Sequence, residues 1–326
     1  MSRCLTPRII RPPNTADWYR PGACLEYPVG GSAAIVEALV RGLKKHGGEL
    51  RLRSHVASVD VAPGADGAPR ASGVTLRSGR RISAARAIIS NASIWDTLPL
   101  LPPGALPADW AAAEGATEQC ASFMHLHLGI DATGLDPAAL QIHHISVEDW
   151  GRGVTSPQNL VLVSIPSVLD PGMAPPGCHV IHAYTPGTEP WAPWADLKPG
   201  SAEYAALKEE RSAVLWRAVE KAIPDVRSRV RVSYVGTPRT HARFLRRAQG
   251  SYGGTGWVGG AAGAAASGVP TAATPLPGLL CVGDSRFPGP GVPAVAAGGF
   301  AAAHALVGPL QQCATLDKVS PWFTSP

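Results

Sequence analysis

The chain has 326 residues, of which 45% are hydrophobic and 16% charged, with a net charge of +5. That composition describes a folded chain with substantial apolar burial, long enough for one large domain or two ordinary ones, and excludes a disordered one. The basic residues are scattered, with no Lys/Arg run and no basic stripe interleaved with aromatics, so nucleic acid is not an expected partner.

Residues 1–21 read as an irregular segment carrying Arg3, Arg8, Arg11 and Arg20 against a single acid, Asp17. From Glu26 the chain runs EYPVGGSAAIVEALVRGLKKHGGEL. Ser32 is placed to cap a helix with Ile35, Val36, Leu39 and Leu43 on one face. Lys44 and Lys45 suit its last turn, and Gly47 ends it. A strand is expected from Leu50 through Val56 to Val61, then a loop at Pro63–Pro69. A hairpin follows around Ser78-Gly79, with Val74 and Leu76 facing Ile82. Ala87-Ile88-Ile89 forms another strand, ending at Ser90-Asn91.

At Trp95 the composition shifts to Pro, Leu and Ala, which marks a crossing into a second domain. Four segments of strand length follow: Ser122–Ile130, Gln141–Val147, Asn159–Ile165 and His179–Tyr184. Their length and alternation predict a mostly antiparallel sheet. Ser201–Ile223 is an amphipathic helix stopped by Pro224. A strand at Val230–Val235 and a basic helical segment, Thr240–Arg247, come next.

Leu279–Val282 is a short apolar run suited to a buried strand. Gly283-Asp284 ends it, a Pro/Gly loop follows, and Val292-Pro293 opens a helix of small residues reaching about Leu306. Pro is well tolerated in a first helical turn. Glycines let main chain approach a planar ligand, and a helix N-terminus offers N–H groups and partial positive charge. A strand, a Gly-Asp, a glycine loop and a tightly packed helix together make a candidate nucleotide-cofactor site.

Two other patterns are set aside. Gly254-Thr-Gly256-Trp-Val-Gly259 satisfies GxGxxG, but RRAQGSY precedes it where a strand is required, so it is not a dinucleotide fingerprint. His125 and His127 share a strand face, and His143, His144, His179 and His182 lie on neighbouring segments. No Asp/Glu pattern accompanies them, so they read as sheet histidines facing a cavity or solvent, and no metal is expected. The six cysteines show no CxxC pairing and read as reduced thiols. No nucleophile elbow, P-loop or zinc-protease motif offers competing chemistry.

GD followed by FPGPGVPAVAAGG resembles the C-terminal flavin signature of the carotenoid isomerase and phytoene desaturase family, most of all its prolycopene-isomerase-like branch. Family-like phrases extend from about Tyr19 to Val307: YPVGG, IISNA, HHISVEDW, AYTPGTEP and GTPRTHARFLRR. The resemblance implies a mixed α/β fold of the amine-oxidase type, with a Rossmann-type FAD domain interrupted by a substrate domain on a mostly antiparallel sheet. It places the FAD domain at 22–95 and 275–310, the substrate domain at 96–274 and a tail at 311–326. The cofactor implied is FAD, with Gly30, Gly31, Val56, Gly283, Asp284, Gly291, Val292, Pro293 and Ala294 at its site. In the family the Asp of the GD pair hydrogen-bonds a ribityl hydroxyl, and the strand residue matching Val56 pairs with adenine through its backbone.

The activity implied is cis–trans isomerisation of a lipophilic polyene in a plastid. A desaturase or saturase, or a catalytically silent lipid-binding module, are the alternatives, and a peripheral membrane contact is left open. No catalytic residue is assigned; Glu148, Asp149 and Arg243 are equally well read as surface or ion-pair residues. Family members open with strand, GxGxxG and helix. Nothing in residues 1–48 has that form, so the chain is expected to be the C-terminal two-thirds of such an enzyme, with an unpaired apolar edge beside Leu279–Val282.

Overall fold

A computed structural model describes residues 27–136, 138–254, 272–286 and 288–319. The irregular segment 1–21 and most of the GxGxxG look-alike, from Thr255 on, lie outside them. In chain order the elements are α1 (Gly31–Lys45), β1 (Val56–Pro63), β2 (Pro69–Leu76), β3 (Arg81–Ser83), β4 (Ile88–Ser90), α2 (Ile94–Thr97) and α3 (Ala108–Gly115). Then come β5 (Ser122–Asp131), β6 (His143–Val147), β7 (Leu160–Ser164), β8 (Cys178–Glu189), α4 (Ala202–Ala222), α5 (Val226–Arg229), β9 (Val230–Gly236) and α6 (Pro238–Leu245). Last are β10 (Leu279–Cys281), α7 (Val292–Ala305) and α8 (Pro309–Val319). The chain forms two compact units. The first comprises Val40–Gln119 and the chain from Gly253; the second comprises Val29–Leu39 and Cys120–Tyr252.

In the first unit β1, β2 and β3 form an antiparallel sheet in which Val59 pairs with Val74, and Val74 with Ile82. The expected hairpin is therefore present. The strand begins at Val56, not Leu50; Leu50 and Leu52 are exposed. β10 and β4 pair in parallel, Leu279 with Ile88 and Cys281 with Ser90. Both strands consequently end on the same side, and Val282 N–H donates to the Ser90 carbonyl at 2.9 Å. Val59, Ala71, Leu276 and Leu279 form the buried core beneath. The edge of β10 expected to be bare carries an antiparallel bridge from Leu280 to Ala273, and all three β10 residues are buried.

The second unit is built on a five-stranded antiparallel sheet of order β6-β7-β8-β5-β9. Strict alternation along β5 sends Met124, Leu126, Leu128 and Ile130 to one face, where α4 covers them with Val214, Leu215, Ala218 and Val219. The three- and four-residue spacings that link Val214 and Leu215 to Ala218 and Val219 put those α4 side chains on one helical stripe. Ser201 caps α4 by accepting from Tyr204 N–H at 3.2 Å, and the helix ends before Pro224. Each fully buried Leu or Ile here contributes about 1.5–3 kcal/mol of transfer free energy.

Helix α1 departs from its expected form. It starts at Gly31, so Ser32 lies inside it, and Val36, Leu39 and Leu43 are exposed. Among the described residues no helix is long and apolar enough to cross a membrane.

Candidate functional site

The turn after β10 is built residue by residue. Gly283 has φ +102°, a conformation open to glycine and costly for other residues. A Cβ there would lie 2.7 Å from Asn91 Oδ1, the residue that leaves parallel β4 at the same end. Asp284 is 9% exposed, and its backbone carbonyl is packed against Gly253. Ser285 Oγ accepts from Ile94 N–H at 3.0 Å, which anchors the turn to the start of α2. Arg286, 3% exposed, donates to Glu114 Oε1 at 2.7 Å and lies over the Trp110 ring. Burial pushes the Cys281 thiol up to about 11, so it stays protonated and inert.

The helix that follows begins at Val292. Its cap, Gly291, has φ +99° and makes no side-chain cap hydrogen bond; no acid occupies the first turn. A Cβ on Gly291 would meet nothing within 4 Å. Among the described residues the N-terminus of α7 has no side-chain cap, and its first turn carries the partial positive charge of a helix start. Gly298 and Ala302 are buried, so the small residues do give the helix a close-packed face. A buried Asp at the shared carboxyl end of two parallel strands, an open Gly291 and a helix N-terminus without a side-chain cap fit a flavin.

The other expected cofactor residues are less concentrated. Val56 opens β1, an edge strand of its sheet, at a register shift between Val56 and Ser58. Gly30 and Gly31 belong to the second unit and have φ of +82° and +71°, the turn that enters α1. Gly30 N–H donates to Asp170 Oδ2 at 2.8 Å, so a protein carboxylate already takes that donor.

In the second unit the face of the sheet opposite the core carries Phe123, His125, His127, His182 and Tyr184. Nδ1 of His125 and Nε2 of His182 stand 2.6 Å apart. Their ring centroids are 4.9 Å apart and the planes 4° from parallel. That separation is about the N···N distance plus a ring radius at each end, so the rings meet edge to edge. His127 lies beside His182, its register partner across β8, with centroids 4.5 Å apart. His241, on α6, accepts from or donates to Tyr252 Oη at 2.8 Å. Burial, then the neighbouring imidazoles, brings His125 down to about 2. Burial and His127 bring His182 to about 4; burial, His127 and Arg247 do the same for His241. These rings are neutral at pH 7. His143, His144 and His179 do not join them; His179 Nδ1 pairs with Ser167 Oγ.

Glu148 and Asp149 have structural tasks. Glu148 is bonded by Arg217 at 2.8 Å and Lys221 at 3.1 Å. Burial raises its pKa and the Lys221 and Arg217 hydrogen bonds outweigh that, leaving it lowered. Asp149 Oδ1 accepts from Gly151 N–H, closing a turn. Arg243 lies over the neighbouring Phe244 ring. Sequence reasoning did not single out Ser285, Arg286 or Glu114; the spacing of Ser285 and Arg286 directly after Asp284 was the only available signal.

The profile of the family described as flavin containing amine oxidoreductase matches residues 14–306. The chain is 36% identical over 291 residues to the chloroplastic prolycopene isomerase of Arabidopsis thaliana, covering 86% of this chain and 45% of that protein. It is 35% identical over 311 residues to the chloroplastic prolycopene isomerase of Daucus carota, covering 92% of this chain and 48% of that protein. The chain thus spans about half the length of the curated relatives it matches. Among solved structures, an oxidoreductase from Methanosarcina mazei superposes with a TM-score of 0.54 at 20% identity, over 85% of this chain and 55% of that one. Putrescine oxidase bound to putrescine gives 0.52 at 14% identity, over 85% and 52%. These two show the fold, a mixed α/β architecture of the amine-oxidase type.

Proposed function

Because the chain belongs to the flavin containing amine oxidoreductase family, we propose that it serves FAD-dependent cis–trans isomerisation of a lipophilic polyene in a plastid. The observation that carries this reading is the Gly283-Asp284 turn, which leaves the carboxyl ends of two parallel strands and leads into the uncapped start of α7. The prolycopene isomerases among its relatives supply the substrate class and the plastid assignment.

On this reading Asp284 accepts a hydrogen bond from a ribityl hydroxyl, and the backbone of Gly291, Val292, Pro293 and Ala294 lies along the ring system. The edge of β1 at Val56 supplies backbone groups for adenine. The α7 N-terminus favours negative charge in front of it by about 0.3–1 kcal/mol. Bound flavin would supply electron density to the conjugated substrate, lowering the order of the double bond that rotates. Glu148 and Asp149 are committed to an ion pair and a turn, so neither is assigned as acid or base.

Two measurements test the reading. Flavin-loaded protein given a poly-cis polyene under reducing conditions is expected to yield a trans isomer of unchanged mass. A product that has lost or gained hydrogen would instead establish a desaturase or saturase, and no flavin retention at all would favour a lipid-binding module. Asp284→Ala is expected to weaken flavin binding by about 1.5–3 kcal/mol, the value of a hydrogen bond to a charged group. Flavin affinity unchanged in that variant, measured by fluorescence titration, would remove Asp284 from the site.

A further inference from the structure

We propose that His125, His127 and His182 bind one divalent transition-metal ion, zinc being the reference case. One ligand nitrogen from each ring lies within 4.8 Å of the others. The three side chains project from two adjacent strands, β5 and β8, on the face opposite the packed core, so a rigid sheet sets their spacing. A zinc ion about 2.0–2.1 Å from each nitrogen in tetrahedral geometry needs nitrogens roughly 3.3 Å apart. That value lies between the 2.6 Å that separates His125 Nδ1 from His182 Nε2 and the 4.8 Å within which one nitrogen of each ring is found. Both rings would have to rotate out of their in-line contact, so that their nitrogens converge on one point, to admit an ion.

A purely structural role leaves these rings badly satisfied. His125 Nε2 is buried and has no hydrogen-bond partner among the described residues. If His125 donates through Nδ1 to His182, its Nε2 lone pair has no donor. If it accepts there, its Nε2–H has no acceptor. Neither tautomer satisfies both nitrogens, and such a group costs about 1–3 kcal/mol. A metal ion on the nitrogens that now contact each other would fix His125 as its Nε2–H tautomer, and His241 Nε2, likewise buried without a partner among the described residues, is the acceptor available to that N–H. His241, whose centroid is 4.7 Å from that of His125 and which is tied to Tyr252, stands where an outer partner of a ligating imidazole belongs.

The donor set defines the ion. Three neutral imidazoles without carboxylates suit zinc, copper or nickel and do not suit magnesium or calcium. Among the described residues no thiol or carboxylate joins the group, so a fourth coordination position would be left for water or another small donor. This departs from the absence of a metal expected on sequence grounds, where alternation alone could not show that His182 faces His127. It does not depend on the flavin reading.

The test uses the purified full chain, stripped with chelator, desalted and titrated with Zn²⁺. One equivalent of zinc is expected, resistant to desalting and to a large excess of Mg²⁺. His125→Gln and His182→Gln should each weaken zinc affinity at least tenfold, whereas His143→Gln, on the exposed part of β6, should leave it unchanged. X-ray absorption on the zinc-loaded wild type, which needs no variant to fold, should show nitrogen or oxygen scatterers at about 2.0 Å with histidine character. Absence of stoichiometric uptake, sulfur in the coordination shell, or undiminished affinity in a folded His125→Gln/His182→Gln double variant would each overturn the proposal.

Discussion

Arg211→Ala is expected to destabilise the protein by about 3–5 kcal/mol, the cost of breaking a buried ion pair from one side. Glu189 is 0% exposed at the end of β8, and Arg211 of α4 grips it with two hydrogen bonds of 2.9 Å each. Trp194 Nε1 adds a third at 2.9 Å. Removal of the guanidinium leaves a carboxylate in the interior with the indole N–H as its remaining side-chain donor. The bidentate geometry ties α4 to the sheet it covers, so the loss falls on the main core of the second unit. Replacing both partners together, Glu189→Leu with Arg211→Met, is expected to recover most of the stability, because no charge is then stranded. Urea unfolding of the three chains decides it. A loss below about 1 kcal/mol for the single variant would place the pair in the class of surface salt bridges.

Gly253→Ala is the second large effect, and it falls on the candidate flavin site. Gly253 has φ +109°, where an alanine costs about 1–3 kcal/mol in backbone strain. Its Cβ would also sit 2.6 Å from the backbone oxygen of Asp284. A main-chain atom cannot swing aside as a side chain can, and overpacking of this kind costs about 1–3 kcal/mol more. The melting temperature should therefore fall, and flavin retention should fall with it, because relief of the overlap displaces Asp284. Gly291→Ala provides the contrast. It shares the positive φ but has open space in front, so its loss of stability should come from strain alone. Equal losses in the two variants would mean that the contact with Asp284 contributes nothing.

What the sequence by itself determined is whatever depends on neighbours within a turn or two. The two-residue alternation from Ser122 to Ile130 marks β5 and its buried face without reference to the rest of the chain. The apolar side of Tyr204, Leu207, Val214, Leu215, Ala218 and Ala222 between Ser201 and Pro224 marks α4 to within a residue at each end. The run from Leu279 through Gly283-Asp284 to Pro293 marks strand, turn and helix, and with them the candidate cofactor residues. Tertiary structure alone decided what depends on which strand lies beside which. Only the parallel pairing of Leu279–Cys281 with Ile88–Ser90 puts Asp284 at a shared strand end, braced by Ser285 against Ile94, 191 positions away. Strand β1 starts at Val56 and leaves Leu50 and Leu52 out, because a strand extends only where a partner lies alongside, and β2 ends at Leu76. Glu189 found its Arg211 and Trp194 through packing, and no local pattern announces a buried ion pair. The register of β5 on β8 sets His127 opposite His182 and brings His125 within 2.6 Å of it. A shift of one residue would have sent these histidines to the other face of the sheet.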